Sequence, residues 1–296
     1  MEARYINPYT DFGFKKLFRE EASKELLADF LNQLLPAHHQ IATLSLQTSQ
    51  RLSEAPYLRN AIFDIYCMSA SGERFIVEMQ KAKQRYFKDR TVFYSTFPIR
   101  EQAQAGDWDF SLAAVYCVGI LDFTFDSEDG TQELLTTVKL KDQLNQVFYD
   151  KLTFIYLQMP VFNRKEHELS THFEKWLYFL KHLSDFQEIP SILREPVFER
   201  GFRIAELAAY SPDERFLYEQ SLKVMRDNKN TFDYAIETAT EQGLARGLEQ
   251  GLEQGLEQGR EQGLAEGMAK ALALLVSNGV APGTARQMLQ LPTPAP

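Results

Sequence analysis

Cysteine is scarce in this sequence of 296 residues, which contains only Cys67 and Cys117. Both lie in apolar runs and lack the spacing of metal ligands, so we expect reduced core residues of a cytoplasmic protein. No apolar run approaches the roughly 18 residues of a membrane span, and the first residues lack the charged and then apolar pattern of a secretion signal. The sequence therefore predicts no membrane partner.

Several catalytic signatures are also missing from the chain. There is no phosphate loop of the G-x-x-x-x-G-K-[ST] type, no G-x-S-x-G elbow, no H-E-x-x-H and no pair of C-x-x-C motifs. These absences weaken the competing enzyme classes. A formal net charge of −9 argues against indiscriminate binding to nucleic acid but allows a local basic face.

The chain does contain one clear hairpin pattern, in residues 61–81. Ser69, Ser71 and Gly72 supply a polar turn between two runs rich in Ile, Phe, Val and Tyr. Because side chains alternate along a strand, a hairpin centred near Ser71 gathers apolar side chains on one face. That face pairs Phe63 with Met79, Ile65 with Val77, and Cys67 with Phe75.

The same register places Asp64 directly opposite Glu78 on the other face. Opposed Cβ atoms in a hairpin lie roughly 4.5–5.5 Å apart, so two carboxylates at these positions repel each other. A cation between them would relieve the repulsion, and Mg²⁺ typically uses one or two carboxylates together with water and phosphate oxygens. The alternative interpretation is that the two acids form the solvated side of an ordinary hairpin.

Basic residues follow directly after this pair. Residues 81–90 contain five basic side chains and one acid, Asp89, and form the densest basic segment of the chain. A phosphate backbone would lie there, beside the carboxylates. We predict DNA contacts from this segment and from the basic side of the first helix, at Lys15, Lys81, Lys83, Arg85 and Arg90. The alternative in both places is a solvated helix face.

The remaining patterns predict an α/β fold. Helical spacing covers residues 11–35 and 81–105, and Pro98 should kink or interrupt the second helix. Strand patterns cover, in chain order, residues 41–49, both arms of the hairpin, 110–125, 133–141 and 151–160. The run at 110–125 is almost continuously apolar, which suits a strand buried on both faces. The core order is therefore αβββαβ, and the last two strands are expected to extend the sheet.

Several segments together resemble one nuclease family. Asp64 and the triplet Glu78-Met79-Gln80 are similar to the PD-(D/E)XK motif, with Gln80 where lysine is usual. The further segments are TDFGFKKLF at 10–18, RTVFY at 90–94 and LDF at 121–123. Over about residues 4–160 the chain resembles the Rpn and PD-(D/E)XK transposase-like family of bacterial recombination-promoting nucleases and transposases, in which the third motif residue is often Gln.

The resemblance implies a PD-(D/E)XK, restriction-endonuclease-like αβββαβ core and a metal-dependent DNA endonuclease that hydrolyses phosphodiester bonds. Asp64 and Glu78 would be ligands of Mg²⁺ or Mn²⁺, and Gln80 would complete the catalytic set. Gln80 cannot carry charge or act as a base. The alternative is therefore a catalytically weak or inactive nuclease-fold module that binds DNA or supports assembly without cleaving.

After the core, the sequence predicts a helical C-terminal appendage. We divide the chain into a nuclease-like domain at 1–160, a helical appendage at 161–240, a glycine repeat at 241–270 and a short helical pair with a tail at 271–296. Ser211 and Pro212 predict a helix start, with an end near Met225 and a new helix from Phe232.

The glycine repeat has a period of four residues from Gly243 to Gly267. Each interior glycine destabilises a helix by about 1 kcal/mol relative to alanine, so an isolated helix here would be marginal. One interpretation is close helix–helix packing through small residues in a homodimer. The other, which we favour, is a frayed and solvated helical linker with no partner.

Overall fold

The computed structural model describes residues 3–36, 39–47, 63–127 and 130–292. The chain divides into two compact units, Met1–Met225 and Arg226–Pro296. The first unit holds every residue of the candidate site.

The first unit contains one mixed sheet of six strands. The strands are β1 (Leu44–Leu46), β2 (Ile65–Ser69), β3 (Arg74–Gln80), β4 (Val115–Leu121), β5 (Leu135–Lys141) and β6 (Val147–Gln158). Their order in the sheet is β1-β2-β3-β4-β6-β5. Strands β3, β4 and β6 are parallel, and the other pairs are antiparallel. The C-terminal ends of the parallel strands therefore meet at one edge, where Gln80, Leu121 and Gln158 are aligned.

Seven α-helices are found in the described residues. They are α1 (Asp11–Phe18), α2 (Lys24–Asn32), α3 (Phe87–Arg100), α4 (His172–His182), α5 (Pro196–Ala205), α6 (Pro212–Ser277) and α7 (Pro282–Met288). Helix α1 and strands β1 to β3, followed by α3 and β4, give the αβββαβ order expected from the sequence. The predicted extension of the sheet is also confirmed, by β5 and β6.

Hydrophobic layers cover both faces of the sheet. On one face, Ile65 and Val77 belong to a core shared with α1, α2, α4 and α5. On the other, Tyr66 and Ile76 pack with α3. Every residue of β4 is buried, as its continuous apolar run predicts.

The hydrophobic core that contains Ile65 and Val77 includes residues on both sides of the proposed boundary at residue 160. Trp176 in α4 lies 6.1 Å from Phe18 and 5.5 Å from Phe30, measured between ring centroids. Helices after residue 160 therefore share one core with the first two helices, while the four-part division of the chain stays a prediction.

The first helix differs from its prediction. Helical spacing indicated one helix over residues 11–35, but α1 ends at Phe18 and α2 begins at Lys24. Glu20 and Ser23 cause the break, because the Ser23 hydroxyl accepts a hydrogen bond from the Glu20 amide at 3.1 Å. This local bond competes with helix continuation and starts a new turn. Thr10 caps α1, because its side chain accepts a hydrogen bond from the Gly13 amide.

The hairpin register is confirmed, but the face of Phe63 is wrong. Ile65 pairs with Val77 and Cys67 with Phe75, as predicted. Phe63 instead packs on the α3 side, with its ring centroid 5.2 Å from that of Tyr94. The side-chain alternation ends at Asp64, because the Met79 amide donates to the Asp64 carboxylate rather than continuing the backbone ladder.

Two predicted helix breaks are absent. Pro98 lies in the last turn of α3, which continues to Arg100. The predicted end near Met225 and start at Phe232 fall inside α6, which spans 66 residues. Polar residues between these positions lower helix propensity without stopping the helix, and the Thr231 hydroxyl donates to the Asp227 carbonyl within it.

The glycine repeat lies within α6. A Cβ atom added at Gly243 or Gly267 would meet no atom within 4 Å. The helix ends at Gly279, where φ is +89° and the amides of Gly279 and Val280 reach back to the carbonyls of Val276 and Leu275. The homodimer and the partnerless linker both stay predictions. Among the described helices, none has the combined length and apolar character that a bilayer crossing requires.

Gly201 of α5 packs closely against two neighbouring helices. A Cβ at Gly201 would lie 2.8 Å from Cζ of Phe179 in α4 and 3.3 Å from Cδ2 of Leu26 in α2. Neither neighbouring side chain can move aside easily, because Phe179 and Leu26 are both fully buried.

We expect Gly201→Ala to destabilise the first unit by about 1–3 kcal/mol, since overpacking outweighs the better helix propensity of alanine. Urea denaturation followed by tryptophan fluorescence reports on this unit, which contains both tryptophans. Gly251→Ala is the matched control, since its site is open. An unchanged midpoint for Gly201→Ala would contradict the packing described.

The start of α6 is tied to α1 by Glu214. Its carboxylate accepts hydrogen bonds from Lys16 Nζ at 2.7 Å and from the Ser211 amide at 2.9 Å. These bonds lower the pKa of Glu214 from 4.5 to about 2. The predicted capping box after Ser211 is therefore confirmed, with an added ion pair.

Glu214→Gln should lower the stability of the first unit by about 1 kcal/mol at neutral pH. Because the folded-state pKa is depressed, this contribution is present above about pH 4.5 and is lost as the pH falls towards about 2. The melting temperatures of wild type and variant should converge over that interval. Glu219→Gln, an exposed substitution in the same helix, should show no pH-dependent difference from wild type.

Candidate active site

The hairpin holds two acids side by side, where the start of β2 meets the C-terminal end of β3. Asp64 immediately precedes β2, and Glu78 lies in β3 with its side chain 18% exposed. The Met79 amide donates to Asp64 Oδ2 at 3.0 Å. In return, the Asp64 amide donates to the Glu78 carboxylate. Backbone amides thus orient both carboxylates before any substrate or ion is present.

Burial and mutual repulsion raise the proton affinity of this pair. Burial is the main cause that raises the pKa of Glu78 to about 7, and the charge of Asp64 raises it further. Burial also raises the pKa of Asp64, against the opposing effects of the Met79 hydrogen bond and Lys15. The pair is therefore a partly desolvated negative site that favours a nearby cation.

Arg90 of α3 supplies one such cation. Its Nη2 lies 3.9 Å from Glu78 Oε2 and donates to Gln80 Oε1. Its Nη1 donates to Gln84 Oε1 at 2.7 Å. Gln80 Nε2 in turn donates to the Ala82 carbonyl at 2.9 Å. Gln80 is thus held by its own backbone neighbour and holds the guanidinium beside Glu78.

Lys15 of α1 is the second cation near the acids. It pairs with Asp11 at 2.6 Å, and its charge lowers the pKa of both Asp64 and Glu78. The start of α1 is fixed by Gly13, where a Cβ would fall 2.1 Å from the Asn7 carbonyl oxygen. Close packing at Gly13 therefore determines where Lys15 lies.

The other predicted DNA-binding residues lie in different surroundings. Lys81 lies near Asp122, whose pKa its charge lowers, and Lys83 pairs with Asp126. Arg85 lies over the ring of Tyr86, 5.4 Å from its centroid. The basic segment therefore divides. Arg90 lies beside Glu78, Arg85 lies just before the start of α3, and the two lysines lie towards the acidic residues that follow β4.

A small cavity adjoins Glu78. It has a volume of about 20 Å³, enough for one water molecule, and is lined by Cys117, Gly119 and Tyr156 among others. Gly119 is the register partner of Glu78, and a Cβ there would fall 3.1 Å from Cδ1 of Tyr156. The glycine in the middle of β4 thus leaves space beside the acid, a feature that sequence analysis did not predict.

Two oxygen donors are available for a metal. Searching the described residues finds no group of three or more His, Cys, Asp and Glu side chains that could hold an ion. Asp64 and Glu78 alone fit Mg²⁺ or Mn²⁺, because Mg²⁺ is often bound by one or two carboxylates and keeps several waters. Burial is the main cause of their raised pKa values, and a cation would relieve the smaller contribution that comes from repulsion between the two carboxylates.

A comparison with known protein families gives a match whose range contains the residues of the candidate site. A family model described as PD-(D/E)XK nuclease family transposase matches residues 8–235. The chain belongs to this family. The match includes both acids, Gln80, Arg90 and the first turns of α6. No curated protein and no solved structure matches the chain. Membership of the PD-(D/E)XK nuclease family supports a nuclease-type function and implies DNA as the substrate.

Sequence analysis placed Arg90 in a basic segment beside the carboxylates and Lys15 on the basic side of the first helix, but it did not predict that Arg90 contacts Gln80 or that Lys15 lies near the acids. The signal for Arg90 was present in part, because RTVFY accompanies the acids in the resemblance to the PD-(D/E)XK nuclease family. The contact between Arg90 and Gln80, however, depends on how α3 crosses the sheet.

Proposed function

We propose that this protein is a metal-dependent DNA endonuclease of the recombination-promoting type, acting in the cytoplasm, in which Asp64 and Glu78 form the metal site. The observation that carries the proposal is the pair of carboxylates, which are half-buried, oriented by backbone amides and flanked by Arg90 and Lys15. Both cysteines are free and buried, which fits a reducing compartment.

Each residue of the site has a separate role in this proposal. Asp64 and Glu78 would hold Mg²⁺ or Mn²⁺, which when bound activates water and neutralises charge on the scissile phosphate. Arg90 carries the positive charge that lysine supplies at the third motif position elsewhere, and its planar guanidinium suits phosphate oxygens. Gln80 positions that guanidinium through its Oε1 atom.

DNA phosphates would lie along the basic surface around the acids. Lys15 approaches from α1, and Arg85 lies just before the start of α3. Lys81 and Lys83 extend the basic segment towards the end of β4, where they face Asp122 and Asp126. Displacing these acids by phosphate would free both lysines for DNA.

A nuclease-fold module that binds DNA without cleaving it is the second candidate. The observation that favours it is Arg90, which lies 3.9 Å from Glu78 and already offsets part of the charge that a metal would neutralise. The two candidates differ in metal binding and in cleavage, so the following measurements separate them.

We expect Mg²⁺ or Mn²⁺ to raise the melting temperature of the wild type, by an amount equivalent to about 2.7 kcal/mol at 100 times the dissociation constant. Asp64→Asn and Glu78→Gln should lose this metal response. Without metal, both variants should be at least as stable as wild type, since one repelling carboxylate is gone. Glu133→Gln, at an exposed position, should retain the wild-type response. If the wild type and all three variants showed the same rise in melting temperature, the ion would bind at a site other than Asp64 and Glu78.

Wild type should nick or cut supercoiled plasmid DNA when Mg²⁺ or Mn²⁺ is added. Asp64→Asn and Glu78→Gln should be slower by at least about a hundredfold, because metal stabilisation of the transition state contributes several kcal/mol. Gel separation of plasmid forms measures the rate, and Glu133→Gln should cut like wild type. Cleavage that persists in a clean preparation of both variants would refute the active site, whereas metal binding without cleavage would favour the non-cleaving module.

A further inference from the structure

An open groove runs along α3 next to the candidate active site. It has a volume of about 650 Å³, and its lining includes Arg85, Tyr86, Arg90 and Phe93. Arg90 belongs to both places, because the same guanidinium contacts Gln80 and lies near Glu78. Arg90 therefore lies between the groove and the pair of acids.

Two aromatic rings of this groove face solvent. Tyr86 is 64% exposed, although Arg85 lies over its ring, and Phe93 is 46% exposed. Among the other aromatic residues of α3, Phe87 and Phe97 are buried against the sheet, and Tyr94 is partly buried there. Packing of the core therefore explains Phe87 and Phe97 but not the exposure of Tyr86 and Phe93.

Helical spacing aligns the rings with the arginine. Tyr86 is the N-terminal cap of α3, and Arg90 and Phe93 follow in the helix at intervals of four and three residues. All three line the groove and form one stripe along it. At about 1.5 Å per residue, the two rings are about 10 Å apart along the helix axis. The stripe thus offers two aromatic surfaces with a positive charge between them.

The charge of this surface favours a polyanion. Arg85 and Arg90 line the groove together with one acid, Asp89, which gives its lining a formal charge of +1 in a chain whose net charge is −9. Exposed aromatic rings beside arginines are the combination that binds single-stranded nucleic acid, because each base has a π-face that stacks and each phosphate has a charge. Inside a duplex, neighbouring base pairs already cover the faces of the bases.

We propose that this groove binds an unpaired stretch of a DNA strand, with bases stacked on Tyr86 and Phe93 and phosphates near Arg85 and Arg90. This inference rests on the proposed nuclease function and specifies its substrate. The enzyme would therefore favour DNA with an unpaired segment next to the scissile bond over fully paired DNA.

Binding measurements without cleavage test the groove directly. The full chain is titrated in EDTA against a fluorescein-labelled oligothymidylate and against a duplex of equal length, and anisotropy is recorded at fixed salt. We expect Tyr86→Ala and Phe93→Ala each to weaken binding to the single strand about tenfold and to change duplex binding by less than about twofold. Phe148→Ala removes a ring that is 82% exposed in β6 and should change neither.

An abasic strand separates stacking from charge. Replacing the bases by abasic linkers keeps the phosphates. For wild type, this replacement should lower the affinity for the single strand about as much as removing the two rings does. In the double variant with Tyr86→Ala and Phe93→Ala, the same replacement should cost less than about twofold, because the stacking partner is already gone. Tyr86→Phe and Phe93→Tyr keep both rings and should retain wild-type affinity.

Three results would overturn the inference. These are a wild type that binds neither form of DNA, ring removal that weakens duplex and single strand equally, and an abasic strand that costs the same with and without the rings. The proposed nuclease function fails separately, through plasmid cleavage that does not depend on Asp64 and Glu78. Cleavage that needs both acids in a protein without strand preference would therefore refute only the groove.

Discussion

The exchange of hydrogen bonds between Asp64 and the end of β3 is the constraint on which the candidate site depends. The Met79 amide donates to the Asp64 carboxylate, and the Asp64 amide donates to Glu78. Both bonds require the register in which Ile65 faces Val77. A slip by one residue would turn the apolar side chains of β2 towards α3 and would separate the acids. Core packing therefore fixes the position of two charges that by themselves repel.

Burial of the sheet on both faces gives this repulsion its strength. Ile76 and Val77 are buried on opposite sides of β3, and β4 is buried along its whole length. Glu78 consequently lies in a region that screens charge poorly, and its pKa rises to about 7. Two helices on opposite faces of the sheet each place a cation near that charge, Lys15 from α1 and Arg90 from α3. The site is thus assembled from both layers and the sheet between them.

Sequence alone predicted those parts of the fold that depend on local patterns. The hairpin register followed from alternation around a polar turn, β4 from its apolar run, and the start of α6 from Ser211 and Pro212. The side of the sheet on which Phe63 packs did not follow, because a side-chain hydrogen bond of Asp64 replaced a backbone bond. The break between α1 and α2 was missed for a related reason, since Ser23 competes for the backbone near Glu20. The contact of Arg90 with Gln80 depends on the position of α3, which no local pattern contains.

Gln80 shows how a departure from a motif can be compensated by another element. A lysine at this position would bring a positive charge to the acids from β3 itself. The glutamine instead offers a neutral oxygen, and Arg90 places its guanidinium there. The charge is retained, but it now belongs to α3, the helix that also carries Phe93 and begins directly after Tyr86. A DNA strand that contacts those two rings would therefore also contact the helix that positions the Arg90 guanidinium beside Glu78. In this arrangement, substrate binding and the electrostatics of the acids are coupled through a single element.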